Sequence, residues 1–203
     1  MSNVSPSSRV NSFRRLTLRS GRIDATNIGL TAESAAIFGY PTTMQTFLPY
    51  PDFLQTAGVL DARRLGKQRV ETIQVLRALT VPGYGWRHHP AATMWAGYEE
   101  ALVRYGLDVC DVWCAAGKAD TCAATLVADL THTTGMGTPR SQEELAAAGE
   151  IPPWLGDKAF HRSHQSALLR KDAAHYRPHF RGVPDDLPYV WPASDRDRRV
   201  PVS

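Results

Sequence analysis

Between Asp61 and the Pro82-Gly83 pair, the apolar residues Leu65, Ile73, Leu76 and Leu79 recur at helical spacing, and Asp61 stands where a helix cap belongs. The same grammar continues downstream. Pro90 fits the first turn of a second helix with Met94, Trp95, Tyr98, Leu102 and Tyr105 inward and Gly106 as its stop. Asp108 opens a third helix that ends near Gly117, and a fourth runs from about Asp120 to Leu130. Ser141 with Glu144 forms a capping box, and Asp157 caps a last helix through Phe160, Leu168 and Leu169. Thr131 to Pro139 and Tyr84 to His89 read as loops. After Pro178 the chain turns Pro-rich and aromatic (VPDDLPYVWP), a pattern that packs over a surface instead of pairing as a strand. The fold class is therefore all-α: a compact single-domain helical bundle with long loops and an extended aromatic C-terminal tail.

At 203 residues and 43% apolar content the chain can bury one core. Three segments emerge: residues 1–43, a helical domain over 44–192 and a polar tail over 193–203. Residues 1–43 are rich in Ser, Thr and Asn, carry arginine without lysine and lack an apolar period. They read as a disordered extension, or as leader translated from upstream of a start at Met44. No stretch approaches the roughly 18 apolar residues of a membrane helix. Cys110, Cys114 and Cys122 are odd in number and crowded together, which fits reduced core thiols, a cytoplasmic setting and no metal.

The net charge of +3 is a weak indicator of partners, but the cations cluster. Arg63, Arg64, Lys67, Gln68 and Arg69 crowd the exposed side of the first long helix, with one acid, Glu71, among them. Arg64, Lys67 and Glu71 share a stripe at i, i+3 and i+7. Such a stripe serves either as a solvated face with a simple Lys67–Glu71 pair or as a polyanion-binding face holding a reactive carboxylate. A second cluster, FHRSHQSALLRKDAAHYRPHF, carries His161, His164, Arg170 and Lys171, which suit phosphate or ribose contacts. Zinc would need a further ligand in register, and none follows. In the loop Tyr84-Gly85-Trp86-Arg87-His88-His89, Trp86, Arg87 and His88 can stack on an unpaired base and grip its phosphate, or plug the end of the core.

The strings MQTFLPYPDF, VLDARRLGKQRVET, GWRHHPAATMWAGYEEAL, PPWLGDKAFHRSHQSALLRKD and DDLPYVWP resemble the pyrimidine-dimer DNA glycosylase (endonuclease V-type) family, most closely its bacterial branch, over residues 44–192. Laid on the corresponding phage helix, Glu71 falls on the family's catalytic glutamate, and Leu60, Leu65 and Val75 fall on apolar positions. Arg64 falls on a substrate-contacting histidine, Gln74 on a catalytic-site arginine and Val70 on another arginine, for which Arg69 or Lys67 compensates. The resemblance implies a bacterial, nucleoid-associated repair glycosylase. It acts as a monomer, without cofactor, on double-stranded DNA carrying a damaged or modified base. An amine attacks C1′, the base leaves and an imine forms, from which elimination can nick the strand as an AP lyase. In the phage enzymes the amine is the chain's own α-amino group. The corresponding candidates here are Met44, in a chain begun there, and Lys67. A non-catalytic nucleic-acid-binding domain and a free-nucleoside hydrolase are the alternatives.

Overall fold

The computed structural model describes residues 44–198, so the expected extension over 1–43 lies outside the described residues, as do 199–203. Among the described residues eight helices follow one another: α1 Phe53–Val59, α2 Ala62–Thr80, α3 Pro90–Thr93, α4 Glu99–Ala115, α5 Cys122–Thr134, α6 Gln142–Ala147, α7 Lys158–Lys171 and α8 Ala173–Tyr176. Among the described residues there is no strand, and the domain is all-α. No helix among them is long and apolar enough to cross a membrane.

The caps read from the sequence are in place. Asp61 accepts from the Arg63 and Arg64 amides to start α2, Asp157 accepts from Ala159 and Phe160 to start α7, and Ser141 and Glu144 close a reciprocal capping box on α6. The inward residues expected on the second helix are all buried: Met94, Trp95, Tyr98, Leu102 and Tyr105 join Leu65, Val75, Leu76, Leu126, Leu130 and Phe160 in one core, with Ile73 partly buried against it. The longer helices α2, α4 and α5 pack mutually, and α1 lies against α4. Trp95 stands edge-on to Trp154 with centroids 4.9 Å apart and donates its indole N–H to Thr46 Oγ1 at 3.0 Å. Each such buried aromatic contributes roughly 1.5–3 kcal/mol.

Several helix boundaries differ from the sequence reading, among them the end of α5, which runs to Thr134 into the expected loop. The second and third expected helices are not separated at Gly106. Instead α3 is a short turn, the chain breaks at Gly97 (φ 76°) and α4 runs unbroken through Gly106. The reason is steric: a Cβ on Gly106 would meet Leu126 Cδ1 and Thr72 Cγ2, each at 2.7 Å. Glycine here admits α2 and α5 to the α4 backbone, and its helix-breaking tendency is overridden by packing. Gly106→Ala should lower stability by about 1–3 kcal/mol through overpacking; a denaturant midpoint equal to wild type would refute the close approach. Cys114, expected in the core, is exposed, while Cys110 and Cys122 are buried.

The segment from Met44 to Asp52 forms no helix and no ladder, yet most of it is buried. Side chains satisfy its backbone. The Leu48 N–H donates to His164 Nδ1 (3.1 Å) and the Leu48 carbonyl meets His161 Nδ1 (2.8 Å). The Gln165 amide donates to the Pro49 carbonyl (2.8 Å) and the Gln142 amide to that of Pro51 (2.8 Å). Such pairing is what allows an irregular strip inside a core. The C-terminal tail is held in a similar way. Ser163 Oγ accepts from Val190 N–H, Ser166 Oγ accepts from Leu187 N–H, and Arg170 donates to the carbonyls of Asp185 and Leu187.

Candidate active site

On α2 the stripe Leu65, Gln68, Thr72, Val75 and Leu79 faces inward, and all five residues are buried. Glu71, on the margin of this stripe, is carried down with it to 4% exposure. Gln68, read from the sequence as one of the exposed polar residues, is fully buried and organises the site. Its Oε1 accepts from the Phe47 N–H at 2.8 Å and from the Tyr105 hydroxyl at 2.7 Å. Because a backbone N–H can only donate, the amide orientation is fixed. Its Nε2 must then face acceptors, and it donates to the Gln45 carbonyl at 2.8 Å and to Glu71 Oε2 at 2.5 Å. Gln68 thereby ties the irregular strip to the carboxylate and holds that carboxylate in one rotamer.

The second oxygen of Glu71, Oε1, receives Lys67 Nζ at 3.0 Å. Lys67 remains 42% exposed along its side chain, so the pair spans from the core to solvent. Burial pushes the Glu71 carboxyl above its ordinary value, against the opposite pull of Lys67, Lys171 and the Gln45 backbone N–H. Tyr105 is held as a neutral phenol, pushed far up by burial and by Glu71. Lys171, on the last turn of α7, lies with Nζ 5.7 Å from the centroid of the Phe47 ring. Its amine is lowered by burial and by Arg64, Lys67 and Arg170, with Glu71 acting the other way. A buried carboxylate thus sits beneath a rim of cations. This arrangement can stabilise positive charge forming on a ligand whose other parts are anionic.

Aromatic rings run from Phe47 to the surface. Phe47 meets His164, His164 meets Tyr189 (5.6 Å), Tyr189 meets Trp191 (5.1 Å), Trp191 meets His89 (5.8 Å) and His89 meets Trp86 (5.4 Å). Trp86 and Trp191 end the run at 44% and 37% exposure. Arg87 and His88, beside Trp86, are exposed.

The remaining sequence candidates fall into distinct places. Arg63 is exposed and Gln74 half-buried, one turn beyond Glu71. Arg64 pairs with Asp61 at 2.7 Å. Arg69 is committed to Asp120 and lies 4.1 Å over the Trp113 ring, on the side of α2 facing the α4–α5 turn. His161 and His164 are both buried, and each is bonded to Leu48. Gly156 N–H donates to His161 Nε2, which puts the His161 proton on Nδ1 toward the Leu48 carbonyl. Burial pushes His164 down to about 3, so it is neutral at physiological pH. In these positions the two histidines brace the strip. Arg170 is bound to tail carbonyls. Arg170→Ala should therefore loosen the tail and speed protease cleavage between residues 185 and 190, with the core melting temperature little changed; unaltered cleavage would show that the tail is held without it. Met44 is buried at 4% in the core.

Gln45, Gln68, Tyr105 and Tyr189 are the residues sequence reasoning missed. Gln68 carried a readable signal, since it continues the apolar stripe at i+3 from Leu65 and i−4 from Thr72. The other three depend on long-range packing. Among the described residues, no group of three or more His, Cys, Asp or Glu side chains is placed to hold a metal ion.

Residues 44–126 match the family model described as pyrimidine dimer DNA glycosylase. The match spans α1 to α4 and the first part of α5, and includes Gln45, Lys67, Gln68, Glu71 and Tyr105. No curated protein and no solved structure matches the chain.

Proposed function

With residues 44–126 assigned to the pyrimidine dimer DNA glycosylase family, we propose that this protein excises a damaged base from double-stranded DNA, with Glu71 as the carboxylate that acts on the sugar. The observation that carries the reading is Glu71 itself, buried within the matched segment and held by Gln68 beneath Lys67 and Lys171. Departure of a base leaves positive charge on C1′ and O4′. A fixed carboxylate in a water-poor pocket stabilises that charge more in the transition state than in the ground state. The rim cations grip the flanking phosphates, and Trp86 and Trp191 offer faces on which an extruded base can stack. An amine attack at C1′ would retain the sugar as an imine and permit strand cleavage by elimination, the lyase half of the activity. The protein works as a monomer, and this chemistry calls for no cofactor.

The experiment is a panel of duplexes, each carrying one defined lesion with the cis-syn thymine dimer first, scored separately for base release and for strand scission. On the dimer duplex, cleavage of the glycosidic bond is expected and is read as thymine freed after photoreversal, because the excised thymine stays joined to its neighbour through the cyclobutane ring. Salt-sensitive binding without release would leave a nucleic-acid-binding domain, and release from free nucleosides alone would leave a nucleoside hydrolase.

A further inference from the structure

We propose that Lys171 is the amine that attacks C1′, working across the pocket from Glu71; this rests on the glycosylase reading and assigns its nucleophile. The amine of an imine-forming glycosylase must lie beside the carboxylate, stay reachable by a sugar and be free of a standing partner. Met44 is buried in the core at 4% exposure, and Lys67 Nζ is committed to Glu71 at 3.0 Å. Lys171 meets the conditions. It stands on the exposed last turn of α7, and its Nζ lies over the face of Phe47. The amide of that same Phe47 is bonded to Gln68, which is bonded in turn to Glu71. The amine and the acid therefore flank one short strip of chain from opposite helices.

The surroundings favour a neutral amine. Burial lowers the Lys171 amine most, and the charges of Arg64, Lys67 and Arg170 add to it; the opposing charge of Glu71 is outweighed. Arg170 is fixed by the tail carbonyls of Asp185 and Leu187, so part of this cationic field is built into the fold. A lysine activated by neighbouring cations is an established route to imine chemistry.

The step balances without a further reactant. The Nζ lone pair forms the N–C1′ bond while the C1′–base bond breaks, its electron pair leaving with the base. Glu71 takes a proton from the new ammonium and relays one to the departing base. The nitrogen lone pair then expels O4′, which takes a proton from solvent water, leaving an iminium between Nζ and C1′. Removal of a C2′ proton by the Glu71 carboxylate expels the 3′ phosphate with the C3′–O electron pair. At an abasic site the same iminium arises from the C1′ aldehyde with loss of water.

The test uses the full chain with dimer-containing and abasic duplexes in the presence of borohydride, followed by peptide mapping of the reduced adduct. The adduct should map to Lys171. Lys171→Arg should lose the adduct while keeping DNA binding and the melting temperature, and Lys67→Arg should still trap. Base release with the adduct on Lys67 or another residue, or with no adduct at all, overturns Lys171 and leaves the glycosylase reading standing. Absence of both base release and adduct overturns the two together.

Discussion

Glu71→Gln should reduce base release by about two to four orders of magnitude while leaving DNA affinity within a few-fold of wild type. The substitution keeps the shape and an acceptor for the Gln68 amide, and removes only the negative charge. The same change should not weaken the fold. A carboxyl whose folded value is raised binds protons more tightly when folded, so wild-type stability falls as pH rises from the unfolded value through the folded one. Above that window the ionised, buried Glu71 is a cost that glutamine avoids. The variant should therefore melt at or above the wild-type temperature at pH 7–8, and the difference should vanish toward pH 4. Calorimetry across that range, paired with single-turnover base release, reads both halves. Near-wild-type turnover would remove Glu71 from the chemistry.

Gln68→Ala should produce the largest loss of stability among the site residues, about 3–5 kcal/mol. It leaves the Phe47 N–H and the Gln45 carbonyl short of partners in the core and opens a cavity, while the Tyr105 hydroxyl keeps the Phe47 carbonyl as its acceptor. Each stranded group costs about 1–3 kcal/mol, with incomplete additivity. For a chain of this size the melting temperature should drop by roughly 10 °C. Activity should fall as well, because Glu71 loses the bond that fixes its rotamer. A drop of only about 2 °C would mean that water or a neighbour replaces the amide, and that the strip is held chiefly by His161 and His164.

Much of the scaffold was legible because it is local. Asp61, Ser141 and Asp157 announce helix starts by hydrogen bonds made within three residues, and Tyr98, Leu102 and Tyr105 follow one helical period from the cap of α4. Gly106 was misread because its meaning lies in Thr72 and Leu126, which sequence adjacency does not reveal. The site was half legible. The Arg64–Lys67–Glu71 stripe is a matter of helical phase, and the matched segment contains it. Whether Arg69 faces DNA or Asp120, and whether His164 meets phosphate or the Leu48 amide, is decided by partners about 50 and 116 positions away. A side chain's type restricts those partners without selecting among them.

The clamp of the two α7 histidines on Leu48 has a consequence for the order in which the molecule assembles. One wall of the pocket is an irregular strip with no ladder of its own, and it gains its backbone partners from residues about 116 positions later. Closing so long a loop carries a chain-entropy cost that only the finished contact repays. The three-helix scaffold of α2, α4 and α5 can form beforehand from nearer contacts, whereas the carboxylate's surroundings wait for α7. Reactive geometry is therefore the last thing the folding chain acquires, and during refolding the return of base release should lag behind the return of helical signal.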